Sequence, residues 1–216
     1  HPLAYPDPES VSTCGSMING VRHMPPGHTR TWWRADGKIK LRQYWDPDLS
    51  TSESPVPPRE LDELGDELRR VLKQSVRREL LSDVPLGVFL SGGIDSSAVA
   101  AMMAELTPGN VKSFSIGFAD ASFDESTHAR AVARHLGTDH NELQLEPAML
   151  TDLVPEITSL LDEPLADASI IPTYLLSKFA RRQVTVALGG DGGDELFAGY
   201  PTLQAHRLAG YYERLP

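Results

Sequence analysis

Leu86-Gly87-Val88-Phe89-Leu90 runs into Ser91-Gly92-Gly93-Ile94-Asp95-Ser96-Ser97 and out through Ala98-Val99-Ala100-Ala101-Met102-Met103. The first run is apolar and of strand length, the last reads as an amphipathic helix, and only a Ser/Gly turn separates them. Such a turn is a place to hold phosphate. Gly92 and Gly93 allow positive φ and a close approach of backbone to ligand. The first amides of the following helix have no intrahelical partners and carry a positive partial charge. Ser91, Ser96 and Ser97 add hydroxyl donors. Asp95 is the odd member, because a carboxylate beside a phosphate repels it unless a cation stands between them. A Mg²⁺ ion bridging Asp95 and the phosphates resolves the conflict.

Downstream, strands over 112–118, 142–145 and 184–188 continue what the strand over 86–90 begins. Between them fall helices over 95–106, 124–136 and 171–182, with two short helices near 148–154 and 155–161. The helix over 124–136 carries an apolar stripe of Ala129, Val132, Ala133 and Leu136, and Gly137 stops it. Short apolar strands alternating with helices predict an α/β fold, a parallel sheet with helices on both faces. Ligands of such sheets bind beyond the carboxyl ends of the strands, near a topological switch point. The turn at 91–97 sits at one such end. Gly189-Gly190-Asp191-Gly192-Gly193-Asp194-Glu195 sits at another, after the strand over 184–188. Its acids repel one another unless a cation or a base joins them, which is the composition of a metal-assisted phosphate site more than of a plain turn.

Upstream the chain changes character. Stretches 29–34 and 38–44 alternate as strands do, and Ala35-Asp36-Gly37 between them is hairpin chemistry. Pro25-Pro26-Gly27 is a rigid turn ahead of that hairpin. Two strands alone are not stable, so residues 1–47 must pack on something else. Residues 48–58 are a polar, Pro-rich linker. Helical periodicity then runs from Arg59 to about Leu81, with Leu61, Leu64, Leu68, Val71, Leu72, Val76 and Leu80 on one face.

Bulk composition excludes several classes. Thirty acidic against 20 basic residues give a net charge of −10, which argues against general affinity for nucleic acid or anionic membrane. No stretch approaches the roughly 18 apolar residues of a membrane span, and no export leader is visible. Cys14 is the single cysteine, so no internal disulfide forms, which fits a reducing, cytoplasmic setting. The chain opens on His1 and closes on Pro216 in a helical stretch, the expectation for a piece of a longer protein.

The turn at 91–97 resembles the pyrophosphate loop of the ATP pyrophosphatases, a fold group also described as adenine nucleotide alpha hydrolase-like. Ser122-Phe123-Asp124-Glu125-Ser126, Leu161-Asp162-Glu163-Pro164 and the run from Gly189 to Leu196-Phe197-Ala198-Gly199-Tyr200 narrow the choice. Together they resemble the synthetase domain of glutamine-hydrolysing asparagine synthetases. Val21-Arg22-His23-Met24-Pro25-Pro26-Gly27-His28 and Gln43-Tyr44-Trp45-Asp46 resemble the end of that family's glutaminase domain. The resemblance thus implies a glutaminase-domain remnant over 1–47, a linker over 48–58 and the first part of an ATP-binding synthetase domain over 59–216.

It further implies ATP and Mg²⁺, and a reaction in which ATP activates a carboxylate, aspartate first among candidates. The acyl-adenylate so formed is then amidated by ammonia drawn from glutamine. Carried over by position, the nucleotide site would use Leu90, the loop Ser91, Gly92, Gly93, Asp95, Ser96 and Ser97, the backbone of Ile116, and Gly189 with Gly190. Asp95 and Asp194 match the metal-holding acids, and Asp191 matches an acid important for forming the adenylate. Two positions depart from the family pattern: many members have Ser where Gly189 stands, and often Glu where Asp191 stands. The family's glutaminase cysteine is absent, and Cys14 does not match it, so residues 1–216 alone are expected to lack glutaminase activity and to have little or no synthetase activity. A homodimer is a possible assembly, and the sequence does not fix the oligomeric state.

Some residues keep two readings. Ser122 and Glu125 form a capping box or add a contact near ATP. Asp162, Glu163 and Asp167 line the site or cap neighbouring helices. His135 and His140 read as solvent-side residues, since no third metal ligand accompanies them. Two other functions stay open: a related amidotransferase acting on a sugar acid or a β-lactam precursor, and a nucleotide-binding module without chemistry.

Overall fold

The computed structural model describes residues 16, 18–46, 58–118, 124–161, 167 and 169–212. The chain divides into two compact units, His1–Val56 with Leu161–Leu165, and Pro57–Leu160 with Ala166–Pro216.

In the first unit β1 (His28–Trp32) and β2 (Ile39–Gln43) pair antiparallel, with His28 opposite Gln43 and Trp32 opposite Ile39. The expected turn closes them. The Gly37 amide donates to the Trp33 carbonyl at 2.8 Å, and Gly37 takes φ +69°. The Asp36 carboxylate accepts the Lys38 amide at 3.1 Å and is held below the usual carboxylate range, first by Lys38.

The second unit contains α1 (Pro58–Glu79), β3 (Leu86–Phe89), α2 (Ile94–Leu106), β4 (Lys112–Phe118), α3 (Ser126–Leu136) and β5 (Asp139–Leu145). There follow α4 (Pro147–Leu160), α5 (Ile170–Ala180), β6 (Val186–Leu188), α6 (Gly193–Phe197) and α7 (Pro201–Tyr212). The strands form a four-stranded sheet in the order β5-β4-β3-β6, parallel throughout. Successive side chains of a strand point to opposite faces, and the two apolar clusters divide accordingly. Val88 and Leu90 pack with Ala100, Met103, Ala129 and Ala133 of α2 and α3. Phe89 and Phe114 pack with Leu176, Phe179 and Ala180 of α5, and the Phe114 and Phe179 rings meet edge to face at 6.1 Å. Helices therefore cover both faces.

Several expectations shift. The helix through Ala98 and Met103 is not amphipathic: among residues 94–106 only Ile94 and Glu105 are exposed, because α1 lies against one side of α2 and α3 against another. The stripe on α1 is covered only towards its carboxyl end. Val76 is buried and Leu80 packs on the core, whereas Leu61 and Leu64 are 57% and 52% exposed. The two short helices expected on either side of Pro155 are one helix, α4. Proline removes one helical hydrogen bond, but Leu153 and Ile157, one turn apart, are both buried and hold the helix through that position. The strand over 142–145 begins earlier, at Asp139, in register with Lys112 of β4.

Candidate nucleotide site at the carboxyl edge of the sheet

Because all four strands run parallel, the turns after β3, β4 and β6 emerge on one edge. From β3 the chain steps outward to β4 and β5, then returns to the other flank of β3 as β6. The switch point thus falls at β3, where such sheets bind ligands.

The turn after β3 is held largely by its own hydroxyls. Ser91 Oγ lies 3.0 Å from Ser96 Oγ and accepts the Gly93 amide at 3.2 Å. Ser96 Oγ donates to the Gly93 carbonyl at 3.3 Å and accepts the Ser91 amide at 3.3 Å. These two serines, expected as ligand donors, have their hydroxyls engaged in shaping the loop. Ser97 differs: its Oγ is buried and is the one such side-chain atom without a partner among the described residues. Gly93 is the N-cap of α2 and supplies no side-chain cap, so the helix's opening amides keep their unspent donors. Gly92 takes φ +90°, and a Cβ there would stand 2.5 Å from the Ala129 amide nitrogen and 2.7 Å from His128 Cβ. The loop is seated directly on the first turn of α3. Leu90 is 1% exposed, its side chain in the core and its amide on the Phe114 carbonyl at 2.8 Å, so only its remaining backbone can face a ligand.

Beside it, β3 pairs with β4 as far as Phe89 opposite Phe114, while β4 runs on to Phe118. Ile116 therefore lies on a stretch of β4 past the end of β3. The start of α3 is tied to the same edge by Asp124, whose Oδ1 accepts the Phe118 amide at 3.2 Å and the Ser126 amide at 3.1 Å. Those bonds, the Ser126 hydroxyl first, hold its carboxyl below the usual range. Glu125 itself is the N-cap and makes no side-chain cap bond, so the capping role expected of the Ser122–Glu125 pair belongs to Asp124; Ser122 lies outside the described residues.

The second Gly/Asp loop folds onto the first. A Cβ on Gly190 would stand 2.7 Å from the Ser96 amide nitrogen and 3.0 Å from Asp95 Cβ. Gly193 is buried, and a Cβ there would run into the Asp95 carboxylate. Asp95, the run from Gly189 to Gly193, Leu196 and Phe197 line one cleft, closed on its other side by α1 and α2 residues, among them Leu72, Val76 and Met102. That apolar wall was not expected at the site; its only trace in the sequence is the continuation of the α1 stripe to Leu72 and Val76. The cleft encloses about 120 Å³, less than the roughly 300–1,000 Å³ of small-molecule pockets, so alone it is smaller than a whole nucleotide requires.

The acids of this loop are treated differently by their surroundings. Asp95 lies in the cleft. The Asp194 carboxylate lies against Gly199, close enough to exclude a side chain there. Glu195 accepts the Tyr200 hydroxyl at 2.5 Å, which holds its carboxyl below and the tyrosine above their usual ranges. Among the described residues no three His, Cys, Asp or Glu side chains converge on a metal position. Mg²⁺ is normally held by one or two carboxylates plus phosphate oxygens and water; Asp95 is a carboxylate that fits that role, and the uncapped amides and the orphaned Ser97 hydroxyl are donors that fit the phosphates.

The remaining candidates lie away from the cleft or outside the described residues. His140, expected on the solvent side, is half-buried between Ser113 and Ser115; His135 is exposed. Asp167 accepts the Ser169 amide at 2.9 Å ahead of α5, and Asp162, Glu163 and Cys14 lie outside the described residues.

A parallel sheet covered by helices on both faces, with this Ser/Gly/Asp turn at its switch point, defines a protein of the α/β class. A family model described as asparagine synthase matches residues 67–216, and the chain belongs to that family. It is 38% identical over 91% of its length to asparagine synthetase [glutamine-hydrolyzing] 1 of Bacillus subtilis, and 37% identical over 83% to a putative asparagine synthetase [glutamine-hydrolyzing] 2 of Methanocaldococcus jannaschii. It is also 31% identical over 90% to Amidase chyE of Penicillium rubens. The chain spans 30%, 34% and 31% of the lengths of these three relatives. Among solved structures, an NH3-dependent NAD synthetase from Campylobacter jejuni covers 64% of this chain and is itself covered over 60%, at 16% identity and a TM-score of 0.42.

Proposed function

We propose that this chain carries the nucleotide end of an enzyme that amidates a carboxylate, aspartate before others, at the expense of ATP through an acyl-adenylate, with ammonia drawn from glutamine by the full-length protein. The observation that carries the reading is the seating of the Gly189–Gly193 loop on Asp95 and Ser96, which places two Gly/Asp turns from distant parts of the chain around one cleft.

In this reading the opening amides of α2 and the Ser97 hydroxyl bind the phosphates, and the glycines of both loops let the backbone come close. Ser91 and Ser96 keep the turn in shape. The backbones of Leu90 and Ile116, at the ends of neighbouring strands, receive the base. Asp95 and, from the second loop, Asp194 would hold Mg²⁺, which would supply charge neutralisation on the phosphates. Asp191, which lines the same cleft, is the acid this reading assigns to formation of the adenylate. The chemistry asks for no protein nucleophile: the carboxylate oxygen bonds to the α-phosphorus, the bond to pyrophosphate breaks, and ammonia then displaces AMP. The protein's contribution is alignment and fixed dipoles where charge grows on the leaving pyrophosphate.

The test is ATP–pyrophosphate exchange with the full-length protein. Asp95→Ala is expected to lower exchange by about 100-fold or more, the usual consequence of removing one charge-stabilising group. Undiminished exchange would remove Asp95 from the site. Likeness to a relative named an amidase keeps another acid in view as acceptor; steady-state rates with aspartate against other acids decide between them.

A further inference from the structure

We infer that Gly189 is a positioning residue for Asp191, and that the two act as one unit in which the missing side chain at 189 fixes where the carboxylate at 191 stands. The inference rests on the proposed function, since it concerns what Asp191 presents to the reacting groups.

Gly189 follows β6 directly and does not take a positive φ. Its backbone conformation is open to other residues, so conformational freedom does not explain a glycine there. Space does. A Cβ built on Gly189 would stand 2.5 Å from Asp191 Oδ2 and 3.5 Å from Asp191 Cγ. Its third near neighbour, the Asp191 amide nitrogen at 3.8 Å, belongs to the same residue. The Asp191 carboxylate thus folds back over position 189 and fills the volume a side chain would need. Nothing else holds it there: among the described residues no hydrogen bond or ion pair reaches its carboxylate, and Asp191 is exposed. Both residues line the cleft that contains Asp95. The free volume over Gly189 is therefore the one feature that lets a short carboxylate reach back across the end of β6.

Two consequences follow from side-chain length. A methyl group at 189 meets the far end of a flexible side chain, so it displaces the carboxylate rather than the backbone, and the fold survives. A carboxylate one methylene longer can arch over that methyl and recover the position.

The experiment measures ATP–pyrophosphate exchange and ATP affinity in the full-length protein for Gly189→Ala, Asp191→Asn, the double variant G189A/D191N and the double variant G189A/D191E. Asp191→Asn is expected to lower exchange by about 100-fold while ATP affinity stays within about threefold. Gly189→Ala should lower exchange by about tenfold or more. Added to Asp191→Asn it should cost no further factor beyond about threefold, because coupled residues are not additive. G189A/D191E should regain at least about tenfold over Gly189→Ala, which loss of general stability would not produce. Wild-type exchange in Gly189→Ala, multiplication of the two single effects, or no regain with Glu overturns the inference. If Gly189→Ala also lowers the melting temperature, regain of exchange by Glu without regain of melting still upholds it, and its absence overturns it. An inactive Asp191→Asn beside a fully active Gly189→Ala refutes only the positioning; a fully active Asp191→Asn refutes the role proposed for Asp191 itself.

Discussion

His140 shows how far one side chain's setting departs from what its neighbours in sequence suggest. It comes up one residue into β5, where its Nδ1 lies 2.9 Å from Ser113 Oγ and its Nε2 3.2 Å from Ser115 Oγ. Ser113 and Ser115 are 0% and 2% exposed on the strand alongside; Ser113 Oγ also meets Thr138 Oγ1 at 2.7 Å, so it is the Ser115 hydroxyl that the ring saves from burial without a partner among the described residues. Burial pushes its pKa below the ordinary imidazole value, against the opposing pull of Glu142. Folding therefore favours the neutral ring, and the unfolded chain takes up the proton first as pH falls. Stability from this group is complete above the ordinary histidine pKa and is lost as pH drops through the lower folded value. The melting temperature is expected to fall between about pH 7 and pH 5, and to fall less steeply in His140→Gln. Equal slopes in melts across that range would rule the ring out as the cause. The serines of the turn after β3 teach the same lesson: Ser91, Ser96 and Ser97 look alike in sequence, and only the packed turn leaves Ser97 Oγ without a partner among the described residues.

At the level of elements, the helix α3 illustrates both ends of what a glycine does. Gly137 is its C-cap, with φ +68° and nothing within 4 Å of a would-be Cβ. Gly137→Ala thus adds left-handed strain alone and should cost about 1 kcal/mol, read as a shift in the urea midpoint with ATP–pyrophosphate exchange unchanged. A loss several times larger would mean that the position is packed. Gly92 is the opposite case, since its would-be Cβ strikes the backbone at the start of α3. The Gly137 stop was legible because a helix signal ends there, and β4 was legible to the residue because its apolar run is bounded on both sides. The opening of α3 was not. Asp124 caps it with bonds to both Ser126 and Phe118, and the latter is a contact between strand and helix that no local pattern encodes. α4 was read as two helices for a related reason: the burial of Leu153 and Ile157 outweighs the break that Pro155 suggests.

For the whole molecule the expected outcome is a division of labour. Residues 1–216 contain one cysteine, Cys14, which does not match the family's glutaminase nucleophile. A purified sample of this chain is expected to release no glutamate from glutamine, and measurable release would contradict the assignment of that activity to other parts of the protein. No helix among the described residues is long and apolar enough to cross a membrane. By itself the sequence determined the parallel sheet and the order of the strands and of the helices between them, though not the unity of α4 nor the short helix α6, because strand, turn and helix signals are local and short apolar strands alternating with helices admit few arrangements. It also marked out the two Gly/Asp turns. Only the tertiary structure decided that Gly190 rests on Ser96 and Gly193 on Asp95, that Leu72 and Val76 wall the same cleft, and that Asp191 bends back over Gly189. Those are contacts between segments far apart in the chain, set by strand order and by which atoms fill the space between two loops, and neither quantity is written in any single stretch of residues.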